Sequence, residues 1–332
     1  MAVYKLLNSI PVKLTADKYS TAASYHAELY QNVNDQVDYK LTLRLALRLE
    51  QINPNPFWFT LDSEGKLFWI QKWTTSAWTN LITGAYGATQ FWNNRFWLAP
   101  PKFFTRFDKL IATGMSWRPY IQCELAVDFF AFNYEPDAII QFATLDPNPV
   151  LNAPANQFRS HSRLMVASDL GQRAFTVKDN AGGSTNYVQM TFAHEIGHNL
   201  GMQHVGIVRA TPLCQHALNL EKLGLGDVMP KPWQGGGNSA VCYGWMQLPD
   251  VSANIMGYGE KMNSENANPW IWAIQILTGS YGFWQVMDRD PGTKFIEGHN
   301  FGVEFRRIMN PDDDATLGFS ESLSRSLNRA EH

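Results

Sequence analysis

From Tyr39 to Gln51 the chain alternates strictly, with Leu41, Leu43, Leu45, Leu47 and Leu49 on one side and Lys40, Thr42, Arg44, Arg48 and Glu50 mostly on the other. Successive strand side chains point to opposite faces, so this period of two predicts a long half-buried β-strand. The runs Phe57–Leu61 and Lys66–Ile70 flank Asp62-Ser63-Glu64-Gly65, whose turn chemistry predicts a hairpin. Residues 1–88 are therefore expected to be β-rich, as a small sandwich or barrel. Further on, Arg95–Leu98, Tyr120–Phe132, Asp137–Leu145 and Arg163–Ser168 read as apolar strands. Between them Phe103, Phe107, Leu110 and Ile111 share a helical face, which predicts a helix over Lys102–Thr113 behind Pro100-Pro101.

Later segments mix turn and helix signals. Gly182-Gly183-Ser184-Thr185 supplies loop chemistry, with Ser184 or Thr185 as the expected N-cap of the helix that follows. Residues 205–253 read as a long irregular stretch containing Gly235-Gly236-Gly237. Asn268-Pro269 opens a helix to about Leu277, with Trp270, Trp272 and Ile276 expected in the core. Residues 310–332 are polar, include Asp312-Asp313-Asp314, and read as a solvated tail.

The candidate chemistry lies in His194-Glu195-Ile196-Gly197-His198-Asn199-Leu200-Gly201-Met202-Gln203-His204. His194 and His198 are four apart, so a helix stacks them on one face where they can share one ion, Zn2+ for ligands of this type. Glu195 falls beside that face, placed to take a proton from water as general base. Gly201 reaches the left-handed conformation at little cost and lets the chain turn so that His204 becomes the third ligand. Three ligands leave a coordination position open, which distinguishes a catalytic from a structural zinc site.

About fifty residues on, Asn254-Ile255-Met256-Gly257-Tyr258-Gly259 resembles the methionine turn of the metzincin zinc endopeptidases. With the His194–His204 motif, it makes the chain similar to that family over His194–Tyr258. The resemblance implies an α+β fold: a metzincin-type catalytic domain, a twisted mixed sheet with an active-site helix, over residues 89–309, preceded by the β-rich region 1–88 and followed by the tail 310–332. It implies that Met256 supports the histidines from below, and that Tyr258 is an extra zinc ligand or stabilises the tetrahedral intermediate; the alternative for Tyr258 is a buried aromatic. Segment 162–177 would hold the edge strand that pairs with an extended substrate, and 205–253 would shape the pocket beyond the cleaved bond. The subfamily stays open. The motif is reprolysin-like, the Met-x-Tyr turn is astacin- or serralysin-like, and Val205 fits none of them. Reprolysin-like enzymes often cross-link the segment that holds Cys214 and Cys242; a bridge here would close a loop of about 29 residues, and two reduced thiols are the alternative. Cys123, in an apolar run, reads as a buried strand residue.

Bulk properties narrow the partners. The 332 residues suffice for one large or two ordinary domains. A net charge of -3 gives no reason to expect nucleic acid as a partner, and no apolar run approaches a membrane span. The start, MAVYKLLNSIPVKLTADKYS, carries no secretory signal, which leaves a secreted mature form, export by a signal-peptide-independent route, or a cytoplasmic protein. Trp58, Trp69, Trp73, Trp78, Trp92 and Trp97 are either core or, where exposed on a sheet, a platform for glycan contact. The expected function is a zinc metalloendopeptidase acting on a protein or peptide substrate, a role that permits a toxin or effector. The alternative is an adhesin-like module binding glycan or protein, and residues 1–88 could also act as an inhibitory pro-region. His26, His161, His216, His299 and His332 show no metal-ligand spacing.

Overall fold

The computed structural model describes residues 2–15, 22–35, 38–54, 58–62, 65–101, 104–111, 115–129, 135–148, 152, 154, 158, 160–178, 183–205, 212–225, 252–280 and 282–288. Among the described residues the fold is mixed, mostly β with few helices, and is built on a ten-stranded sheet. The first three strands are β1 (Tyr4–Leu14), β2 (Ala23–Asn32) and β3 (Tyr39–Ile52). The alternating leucines make β3 the centre: Leu41, Leu43, Leu45 and Leu47 are fully buried. A hairpin follows, β4 (Phe59–Leu61) and β5 (Leu67–Gln71), with Phe59 opposite Trp69 as its turn chemistry predicts.

The expected β-rich region also holds a helix, α1 (Thr75–Thr89), capped by Thr74 Oγ1, which accepts from Ala77 N at 3.2 Å. Its buried stripe of Leu81, Ala85 and Ala88 is thin and interrupted by Gly84 and Gly87, which hid it from periodicity. A Cβ at Gly84 would lie 2.5 Å from Leu170 Cδ2, so a larger residue there requires the Leu170 side chain to move.

Strands β6 (Phe96–Ala99), β9 (Ile121–Asp128), β10 (Ala138–Leu145), β11 (Leu164–Val166) and β14 (Gln285–Asp288) complete the sheet. Its main path runs β14-β6-β9-β3-β10-β5-β4, with β2 and β1 branching from β3 and β11 from β10. β3 runs parallel to β9 from Tyr39↔Ile121 to Ala46↔Asp128, and its later half runs parallel to β10 from Leu47↔Ala138. Asp137 stands at this fork: Ala46 N donates to Oδ2 and Ser24 Oγ to Oδ1, each at 2.8 Å. Two further hairpins are β7 (Lys109–Ile111) with β8 (Met115–Trp117), and β12 (Gln172–Lys178) with β13 (Ser184–Met190).

Among the described residues three more α-helices follow: α2 (Thr191–Asn199), α3 (Pro212–Lys222) and α4 (Asn268–Thr278). Leu81 and Ala85 of α1, Phe192 and Ile196 of α2, and Trp270 and Ile274 of α4 join the leucines of β3 in one core. No helix among the described residues is long and apolar enough to cross a membrane.

Several expectations need correction. The helix expected over Lys102–Thr113 is not formed among the described residues 104–111; Lys109–Ile111 is a strand. Tertiary partners override the local period: Phe107 packs on Tyr39 at 4.9 Å, Phe104 on Trp284 at 5.5 Å, and Arg118 makes two 2.8 Å bonds to Asp108. Ser184 and Thr185 are not helix caps but the first residues of β13; the strand runs straight into α2, where Thr191 N donates to Gly171 O at 3.2 Å. The irregular stretch contains α3, with Cys214 and Ala217 buried. In α4, Trp270 is buried as expected, whereas Ile276 is 44% exposed. Cys214 is disulfide-bonded and Cys123 is a buried free thiol on β9. Cys242, Gly235-Gly236-Gly237, His299, His332 and the tail 310–332 lie outside the described residues.

Candidate metal centre

Helix α2 carries His194, Glu195 and His198 on its inner side, and it can approach its neighbours closely because Gly197 has no side chain. A Cβ at Gly197 would collide with the Met256 sulfur and come within 3.3 Å of Trp92 Cζ2. Trp92 Nε1 donates to Ala193 O at 3.0 Å, fixing the helix from the side of α1. The helix ends as the sequence requires: Gly201 takes φ 91°, and Met202 N returns to Gly197 O at 3.0 Å. That reversal carries His204 back towards the first two histidines, and Val205 N then bonds Met256 O at 3.0 Å.

The methionine turn is a tight, internally bonded loop. Gly257 N and Tyr258 N donate to Asn254 O and Ser252 O, each at 2.8 Å, and Met256 N donates to Asn254 Oδ1 at 2.8 Å. Asn254 in turn donates to Asn266 Oδ1 at 2.9 Å. The loop touches the histidines twice. Ile255 O accepts from His194 Nδ1 at 2.6 Å, and Met256 lies buried against Gly197.

The three Nε2 atoms of His194, His198 and His204 converge, with separations of 3.1, 3.1 and 3.2 Å. His194 Nδ1 donates to Ile255 O, and His198 Nδ1 donates to Met202 O at 2.8 Å, so the protons of these two rings sit on Nδ1 and their Nε2 lone pairs are bare. Bare lone pairs meeting at that distance repel unless a cation lies between them. Nitrogens 2.0–2.1 Å from one tetrahedral ion would be about 3.3–3.4 Å apart, so the triangle fits such an ion after a small expansion. Burial pushes His194 down to about 3, with His198 adding and the Ile255 carbonyl opposing; burial also lowers His198 against the Met202 carbonyl. Both rings are therefore neutral, as ligands must be. Among the described residues this is the group that could hold a metal ion.

Glu195 is buried beside the triad and its Oε2 has no hydrogen-bond partner. Burial, and then the charge of Asp169, push its carboxyl up to about 8; a cation in the triad acts in the opposite sense. Glu195, His194, His204 and Tyr258 line one cleft of about 160 Å³. The Tyr258 ring packs against Phe175 in a tilted pair with centroids 5.5 Å apart.

Residues that the sequence did not single out line the cleft or, as Asp169 does, brace its lining. Asp169 accepts from Ser160 Oγ at 2.7 Å and from Arg173 Nη1 at 2.9 Å; Nη1 also donates to Phe158 O at 2.8 Å. Burial raises the Asp169 carboxyl, opposed by Arg173 and Ser160. Gln189 of β13 donates to Gly257 O and lies 3.1 Å from His194 Nδ1, tying the β12–β13 hairpin to the turn. One signal could have found part of this wall: Asp169 and Arg173 are opposite charges four apart in a largely apolar segment. His161, His216, His26 and Cys123 take no part in the metal cluster. No protein-family model, curated protein or solved structure matches the chain.

Proposed function

We propose that this protein is a zinc-dependent endopeptidase, a divergent member of the metzincins, that hydrolyses protein or peptide substrates. The carrying observation is the joining of three converging Nε2 atoms to a buried carboxylate whose Oε2 is unpartnered, in one cleft. Bound zinc would supply a Lewis acid that polarises the scissile carbonyl and makes water acidic enough to react at neutral pH. Glu195 takes the proton of the attacking water on Oε2 and returns it to the leaving nitrogen. Tyr258, which lines the same cleft, is the donor for the developing oxyanion. His194 and His198 are held by Ile255 O and Met202 O, so the ligand set is oriented before substrate arrives.

Glu195→Gln keeps the ligands and removes the base. It is expected to retain metal, measured by emission spectroscopy, while peptide cleavage falls at least about a hundredfold. Wild-type turnover in that variant would sink the assignment of the base, and full turnover after chelation would sink the metal reading. A second reading, glycan binding by the N-terminal strands, is favoured by Trp58 and Trp69, which are 57% and 36% exposed. Glycan-array binding lost in Trp69→Ala would support it.

A further inference from the structure

The cleft holds one hydroxyl that neither the fold nor the proposed hydrolysis uses. Thr191 opens α2, is 3% exposed, and its Oγ1 has no hydrogen-bond partner. Thr191 is among the residues that line the same cleft as Glu195 and His194. Native structures rarely bury a hydroxyl unpaired, and a group bound in the cleft would give this one its partner. The surrounding walls are polar. The Ser160 hydroxyl donates its hydrogen bond to Asp169, the Arg173 guanidinium is paired with the same carboxylate, and the rings of Phe175 and Tyr258 supply the apolar surface. At about 160 Å³ the space takes one short side chain.

Resting on the peptidase reading of the site, we infer that this end of the cleft selects a short substrate side chain that accepts a hydrogen bond, asparagine or aspartate over leucine, with Thr191 Oγ1 as the donor. Asparagine and leucine are close in size, so discrimination between them reports the hydrogen bond rather than volume. A leucine would leave the Thr191 hydroxyl unpaired beneath it, whereas an amide or carboxylate oxygen satisfies it. Sites built to hydrogen-bond their substrate reject an analogue lacking the partner far more strongly than apolar pockets reject a changed methylene.

The test uses the zinc-loaded full chain and two hydroxamate dipeptides that differ only in an asparagine or leucine side chain, with affinities read by calorimetry. The asparagine probe is expected to bind at least about tenfold tighter. Thr191→Val should weaken that probe alone and bring the ratio to within about twofold, while Thr191→Ser, which keeps the hydroxyl, should preserve it. Equal affinities in the wild type, a preference for leucine, failure of either probe to bind, or an equal loss for both probes in Thr191→Val would each overturn the assignment. Probe binding needs no turnover. A protein that discriminates between the probes but cleaves no peptide would keep the subsite and lose the peptidase reading. Cleavage without discrimination would do the reverse.

Discussion

Gly197 shows how much of the metal centre depends on one missing atom. It sits between His194 and His198, and only its lack of a side chain lets Met256 lie directly against α2. Met256 is 1% exposed, so Gly197→Ala forces its side chain, the turn or the helix to shift. Overpacking of this kind typically costs about 1–3 kcal/mol. The expected outcome is a lower melting temperature together with reduced zinc stoichiometry, because both flanking ligands move with the helix; an unchanged melting temperature and a full complement of zinc would show the contact to be slack. The histidine spacing, Glu195 and Gly201 were legible because their geometry is local: positions four apart on a helix, and a left-handed residue at its end. Gln189 and Thr191 were not, because the Gly257 carbonyl that Gln189 holds comes from 68 residues further along the chain and Thr191 joins the cleft only once that turn has packed.

Among the elements, β3 is where the long alternation and the architecture agree most directly, yet the alternation does not say which strands flank it. Asp137 makes that choice visible. Its carboxylate holds Ala46 N and Ser24 Oγ, and its own N–H donates to Ala46 O at 2.8 Å, so one residue ties the starts of β2 and β10 to the middle of β3. Asp137→Ala leaves the Ala46 N–H and the Ser24 hydroxyl without their acceptor. Hydrogen bonds to a charged group are worth about 1.5–3 kcal/mol, so the variant should lose about 2–3 kcal/mol in urea unfolding. A loss below about 0.5 kcal/mol would mean that other groups take over the fork. The Lys102–Thr113 segment teaches the converse: its helical spacing of apolar residues is real, but Phe104 and Phe107 spend their surface on Trp284 and Tyr39, and the chain follows them into a hairpin.

For the molecule as a whole, β3 lies within residues 1–88 but is hydrogen-bonded to β9 and β10, which come after them. Its four fully buried leucines each stabilise the fold by about 1.5–3 kcal/mol, together comparable with the 5–15 kcal/mol by which a domain is stable at all. A chain beginning at residue 89 should therefore show no cooperative thermal transition and no zinc retention. A folded 89–332 fragment with raised peptidase activity would instead identify the first 88 residues as an inhibitory pro-region. The sequence by itself determined what depends on neighbours within a turn or a strand: the central strand, the β4–β5 hairpin, the α2 ligands with their base, and the turn that returns His204. Tertiary structure alone decided which strands flank β3, that the chain through α1 belongs to the same core as α2, and which side chains wall the cleft. Those outcomes depend on pairings between segments distant in sequence, and the burial energy that selects among such pairings leaves no periodic mark on either segment taken alone.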